Sequence, residues 1–138
     1  MSSELFSEIY NKALDILSRR EHSVLELKQK LQKKFDSEYD IEETISRLKQ
    51  NNLLNDYRFS ESYVIYRKRK GFGPIKISNE LKSKGVAEVI IFEVLDNEGG
   101  WDEAANKAFS KRFKDGPATD TKILLKQKNF LYNRGFDF

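Results

Sequence analysis

The chain has 138 residues, 38% of them apolar and 34% charged, enough for one globular unit or a short array with a core, and too apolar for a disordered chain. It has no cysteine, which excludes disulfides, thiolate nucleophiles and zinc–thiolate sites, and no run near the ~20 apolar residues that a membrane helix needs. The net charge is only +3, and two prolines and seven glycines leave few helix breakers.

Met1-Ser2-Ser3-Glu4 lacks a basic stretch leading into an apolar one. No secretory signal is expected, and a cytoplasmic location suits the cysteine-free composition. Phe6, Ile9, Ala13 and Ile16 then recur at helical spacing, with Leu14 and Leu17 widening the stripe. Val24, Leu27, Leu31 and Phe35 predict a second helix, with Ser23 as N-cap and Glu26 as its capping-box partner. Ile41, Ile45 and Leu48 predict a third, with Glu42-Glu43 in its first turn. It ends near Asn51-Asn52, which tolerate a left-handed exit.

A second set of elements starts at Asp56, expected as an N-cap. Phe59, Tyr63 and Tyr66 continue one face, and Gly71 and Gly73 break it. Pro74 suits the first turn of the next helix, where its missing N–H has no intrahelical partner anyway. Ile77 and Leu81 form that helix's stripe, and Gly85 ends it. Val89 to Leu95 has strong β propensity. Helix is still preferred from Val86 to Leu95, because the matching part of the first set reads as helix and a lone strand lacks partners. A third set starts at Trp101 or Asp102, the latter expected as a cap. Ala104, Ala105, Ala108, Phe109 and Phe113 mark its first helix, and Gly116-Pro117 its turn. Thr119 or Asp120 caps a last helix with Ile123, Leu124, Gln127 and Leu131 inward, ended by Gly135.

Leu31, Leu81 and Leu131 are evenly spaced, 50 residues apart. Leu27, Ile77 and Gln127 keep the same register, as do Phe35, Gly85 and Gly135. Such a period marks one supersecondary unit used repeatedly. The expected fold is all-α: tandem three-helix units packed ridges into grooves, in an elongated or curved array. The expected units are 1–54, 55–98 and 99–138, the third with two helices and no final one.

Charge is unevenly laid out. From Ser62 to Lys84 there are seven Lys/Arg against one acid, Glu80; from Val86 to Ala104 there are six acids and no Lys or Arg. A polyanion responds to the local field rather than the chain average, although charged helix faces are also simply solvated. Arg67, Lys68, Arg69 and Lys70 span more than one helix face, between Tyr66 and Phe72. Cations interleaved with aromatics suit phosphates and bases, or an acidic protein groove. Arg19-Arg20 sits near the corresponding end of the first helix, and Lys76, Lys82 and Lys84 extend the basic stretch.

Other motifs carry little chemistry. Gly71-Phe72-Gly73 follows a helix-period segment and lacks a third glycine, so helix capping explains it better than a dinucleotide loop. Free N–H groups at the start of the Pro74 helix, with Lys76 beside them, remain able to meet an anion. His22 is the only histidine. It is expected at the surface or in a capping role rather than as a base or ligand. No catalytic residues, metal site or cofactor are expected. Tyr63, Phe92, Trp101, Phe109 and Phe130 read as core; Phe136 and Phe138 stay open.

Four segments carry a family resemblance: Ala13 to Leu31 (ALDILSRREHSVLELKQKL), Leu53 to Phe59 (LLNDYRF), Arg67 to Gly85 (RKRKGFGPIKISNELKSKG) and Asn129 to Phe136 (NFLYNRGF). In these the chain resembles the RecX family, regulators of the RecA recombinase. The resemblance implies tandem three-helix repeats and a non-enzymatic protein that binds the RecA–DNA nucleoprotein filament in its groove. It further implies restraint of RecA's ATP hydrolysis, strand exchange and co-protease action, within DNA repair and the SOS response. The family motif puts its cations at Arg67, Arg69 and Lys76. The charge layout adds Arg19, Arg20, Lys68, Lys70, Lys82 and Lys84. A monomer is expected. The competing reading is a stand-alone DNA-binding helical module acting through Ser62–Lys84. A hydrolase or nuclease has only scattered carboxylates behind it.

Overall fold

The computed structural model describes residues 4–137. They form eight α-helices and no strand. Phe138 and residues 1–3 lie outside the described residues. The first three helices, α1 (Glu4–Arg19), α2 (Val24–Gln32) and α3 (Glu38–Gln50), close one core. Ile9, Ala13, Leu27, Leu31, Ile41, Ile45, Leu48 and Leu54 are buried there. The apolar periodicity of each helix therefore points at the other two. Ser23 caps α2 in a full capping box with Glu26, as its sequence predicts. The α3 start differs from expectation: Ser37 is its N-cap, so Glu38 and Asp40 hold the first turn and Glu42-Glu43 lie beyond it. The exit follows the expectation, with Asn52 at φ +57°.

Helices α4 (Asp56–Arg69), α5 (Pro74–Ser83) and α6 (Glu88–Glu98) repeat the arrangement around Phe59, Val64, Ile77, Leu81, Val86, Ile91 and Val94. The register of 50 holds in the packing: Ile9 and Phe59, Leu27 and Ile77, Leu31 and Leu81, and Ile41 and Ile91 are buried at matching positions. Truncating Leu31 or Leu81 to Ala removes a fully buried side chain, a loss of about 2–5 kcal/mol. The segment with β propensity is helix α6, because its Ile91 and Val94 complete a core that α4 and α5 leave open. Tertiary burial here outweighs local preference. Phe92, expected in the core, is instead 71% exposed: one residue after Ile91 and two before Val94, the two buried residues of α6, it is turned about 100° and 200° away from them and falls on the outer face.

Helices α7 (Trp101–Arg112) and α8 (Thr121–Asn133) pack together around Ala105, Ala108 and Phe136, with Leu131 partly buried against them. Asp120 is the N-cap of α8; Gly100, not Asp102, precedes α7. Gln127 stands where the other units have Leu27 and Ile77. It is buried, and its amide closes the preceding loop by accepting from Ala118 N–H and donating to the Gly116 carbonyl.

Candidate functional site

The basic stretch ends up at a junction. Gly73 N–H donates to the Arg134 carbonyl at 2.7 Å, and Ile75 N–H to the Gly135 carbonyl at 3.0 Å. The end of α8 is thus tied by backbone bonds to the start of α5. This contact explains both glycines. A Cβ on Gly73 would lie 2.5 Å from the Gly135 oxygen, and one on Gly135 would lie 2.5 Å from Lys76 Cβ. Gly71-Phe72-Gly73-Pro74 and Asn133-Arg134-Gly135-Phe136 are therefore two halves of one docking joint. The reading of free N–H groups at the α5 start is corrected: Ile75 N–H is taken by Gly135, and Ile77 N–H by the Gly73 carbonyl.

Phe72 sits in the joint under three cations. The Arg67 guanidinium lies 3.9 Å from its centroid, Arg134 at 5.1 Å and Lys76 at 5.3 Å. Such contacts favour charge close to a ring face. Arg67 also forks onto Glu80, with Nε and Nη2 donating at 2.9 and 2.8 Å, and Tyr63 Oη donates to the same carboxylate. Burial opposes ionisation of Glu80, but the Arg67 and Tyr63 hydrogen bonds outweigh it and hold the carboxyl below its ordinary value. Burial and the Glu80 contact push the Tyr63 phenol up to about 12. The Arg67 pKa rises, chiefly through its hydrogen bond to Glu80. Arg67 thus fastens α4 to α5.

The other candidates divide the same way. Lys68 Nζ donates to Glu98 and to the Gly99 carbonyl, at 2.8 and 2.7 Å, fastening α4 to the end of α6. Lys84 pairs with Glu26 of the first unit, Lys82 with Glu88, Arg20 with Glu26 and Arg19 with Asp15. Arg69 and Lys70 are exposed, with Lys70 against the Tyr66 ring. Of the nine, only Lys68, Arg69 and Lys70 open onto a cleft of about 750 Å³ between the end of α4 and α7.

That cleft contains the residues which sequence reasoning missed. Lys107, Lys111 and Arg112 of α7 and Arg134 after α8 face Arg69 and Lys70 across it. The sequence holds a faint signal, since Lys107 and Lys111 are a helical turn apart beside Ala104 and Ala108. Nothing local says that this face turns toward the end of α4. Conversely His22, expected at the surface or in a capping role, is 1% exposed, which rules out the surface. Its Nδ1 lies 3.0 Å from the Arg20 carbonyl and its Nε2 2.7 Å from Lys30 Nζ. Burial, with Arg20 and Lys30 nearby, holds its pKa below the ordinary value. Asp56 is not the α4 cap; Asn55 is. The Asp56 carboxylate accepts from Val24 N–H at 2.8 Å, joining the first two units.

Among the described residues no group of three or more His, Cys, Asp or Glu gathers into a metal site. No described helix is long and apolar enough to cross a membrane.

Comparison with known proteins agrees with this architecture. A model of the first three-helix domain of RecX matches residues 10–48, and one of the second three-helix domain matches residues 55–95. The regulatory protein RecX of Legionella pneumophila (strain Corby) is 36% identical over 95% of this chain and 88% of its own length. That of Vibrio parahaemolyticus is 41% identical over 91% and 82%. The crystal structure of RecX from Lactobacillus salivarius superposes with a TM-score of 0.78 at 26% identity, covering 96% of this chain and 89% of that one. With two family domains matched in order and relatives aligned along nearly its whole length, the chain belongs to the RecX family of regulatory proteins.

Proposed function

We propose that this chain binds the RecA–DNA filament in its groove and restrains RecA's ATP hydrolysis, strand exchange and co-protease activity. The setting is the cytoplasm, and the protein acts as a monomer in DNA repair and the SOS response. As a RecX-family regulatory protein it is not an enzyme. The observation that carries the reading is the joint between α5 and α8. It consists of two of the four segments that mark the family resemblance, and it gathers Arg67, Lys76 and Arg134 on one ring. Three units, 1–54, 55–98 and 99–138, lie along the filament in this reading. The exposed cations Arg69 and Lys70, with Lys76, meet it directly. Arg67 and Lys68 hold the units in shape, and Arg19, Arg20, Lys82 and Lys84 add to the basic field.

The test mixes the protein with RecA, single-stranded DNA and ATP and follows hydrolysis. Hydrolysis is expected to fall as the protein is titrated in, and Arg69→Glu is expected to weaken the effect without changing the melting curve. Unchanged hydrolysis at several-fold excess over filament sites sinks the reading. Arg67→Glu is the poorer probe, because it breaks the Glu80 fork within the fold.

A further inference from the structure

We infer that the cleft between the end of α4 and the exposed face of α7 is a binding site for the phosphodiester backbone of a single nucleic-acid strand. The site is composite. One wall carries Arg69 and Lys70, the other Lys107, Lys111 and Arg112, with Arg134 at the end. Neither half is a site alone, because the α5–α8 joint is what brings them face to face.

The charge balance is the first argument. Arg69, Lys107 and Lys111 make no ion pair with an acid among the described residues, although the chain has 22 acids to offer. Of the two acids in the cleft, Glu98 is already engaged by Lys68, leaving Glu103. Like charges gathered between low-dielectric walls focus a positive field that only a polyanion relieves.

Shape is the second argument. Ile65 and Phe130 are the large apolar side chains in the cleft lining, beside the small Gly71, Gly100, Ala104 and Ala108, and Lys and Arg make up the greater part of the rest, so an incoming chain meets mainly cations. A Cβ on Gly71 would come within 3.0 Å of Arg134 Nη1, so the glycine leaves this guanidinium its position. Lys107 and Lys111 are about 6 Å apart along the helix, comparable to one phosphate-to-phosphate step of an extended strand. Tyr66, 53% exposed and outside the cleft's own lining, has Lys70 against its ring and offers a face on which a base of a strand leaving the cleft can stack.

This inference deepens the filament reading by naming the anion that one part of the surface meets, yet its test needs no RecA. Binding of a labelled oligothymidine to the full chain is followed by fluorescence anisotropy at several salt concentrations. Lys107→Ala/Lys111→Ala is compared with Lys122→Ala/Lys126→Ala, which removes the same charge from exposed positions of α8 outside the cleft. Losing two contacts to a single strand should flatten the log–log salt slope by about 1.4 and weaken binding roughly tenfold at low salt. The α8 pair should change both far less. Equal effects of the two variants would mean that net charge alone matters, and would overturn the site. So would failure of the unaltered chain to bind at low salt. Polyglutamate that displaces the strand as well as unlabelled oligothymidine does would overturn it in favour of an acidic protein partner. Strand binding that survives alongside unchanged RecA hydrolysis would sink the filament reading and leave this one standing.

Discussion

Single positions show how the repeat tolerates chemistry that its register does not demand. Thr44 and Val94 occupy matching buried places in α3 and α6, yet the Thr44 hydroxyl has no hydrogen-bond partner. Gln127 is the opposite case, a polar residue at an apolar position that satisfies itself on loop backbone. His22 is the most consequential. It is buried and held neutral, donating from Nδ1 to Arg20 and accepting at Nε2 from Lys30, with Glu26 the nearest compensating acid. Its folded pKa lies below the unfolded value of 6.5. The unfolded chain therefore takes up the proton first, and stability falls as pH drops below 6.5. The slope from this one group is at most about 1.4 kcal/mol per pH unit. Urea midpoints between neutral and mildly acid pH should shift accordingly in the unaltered chain and shift less in His22→Gln. An identical pH profile in both would show that other groups set it. The sequence announced the Ser23 cap next door but not the burial, because His22 lies in the short link between α1 and α2, outside any apolar stripe.

Between elements, close approach rather than apolar area decides the geometry. Helix α8 reaches the start of α5 only because Gly73 and Gly135 present no side chain. Gly135 also sits at φ +98°, a region that costs an L-residue energy by itself. Gly135→Ala should lower stability by about 2 kcal/mol or more, from backbone strain and displacement of Lys76 together. Hydrogen exchange should speed up first at Gly73 and Ile75, whose N–H groups lose their acceptors. A variant with the stability and exchange pattern of the parent would mean that the joint is not built on this contact. The helices themselves were largely legible, since stripes, caps and breakers are local. The β propensity of Val89–Leu95 misled only in degree, because the first unit's pattern already argued for helix. The joint was not legible: Gly73 read as a cap, which it is, and its second role depends on a residue more than sixty positions away.

At the scale of the molecule the described residues form three cores rather than one, so the seams decide whether the units move together. The period of 50 made the repetition readable, but the seams have no period. The first seam is polar. Glu21 pairs with Arg58, Glu26 with Lys84, and the Asp56 carboxylate accepts from Val24 N–H. Burial raises the Asp56 pKa despite that bond, so the seam keeps a charge at some cost for the sake of an acceptor. The two contributions can be separated. Asp56→Asn keeps an oxygen for Val24 and removes the desolvated charge, so its stability at neutral pH should stay close to that of the parent. Asp56→Ala leaves a half-buried N–H unpaired and should lose about 1–3 kcal/mol. The first two units should then unfold less cooperatively, seen as a lower urea slope. If Asn is as harmful as Ala, the carboxylate charge holds the seam, through its attraction to Lys49. If neither substitution matters, the angle between the units is set by Leu25 against Gly85 and by the flanking ion pairs.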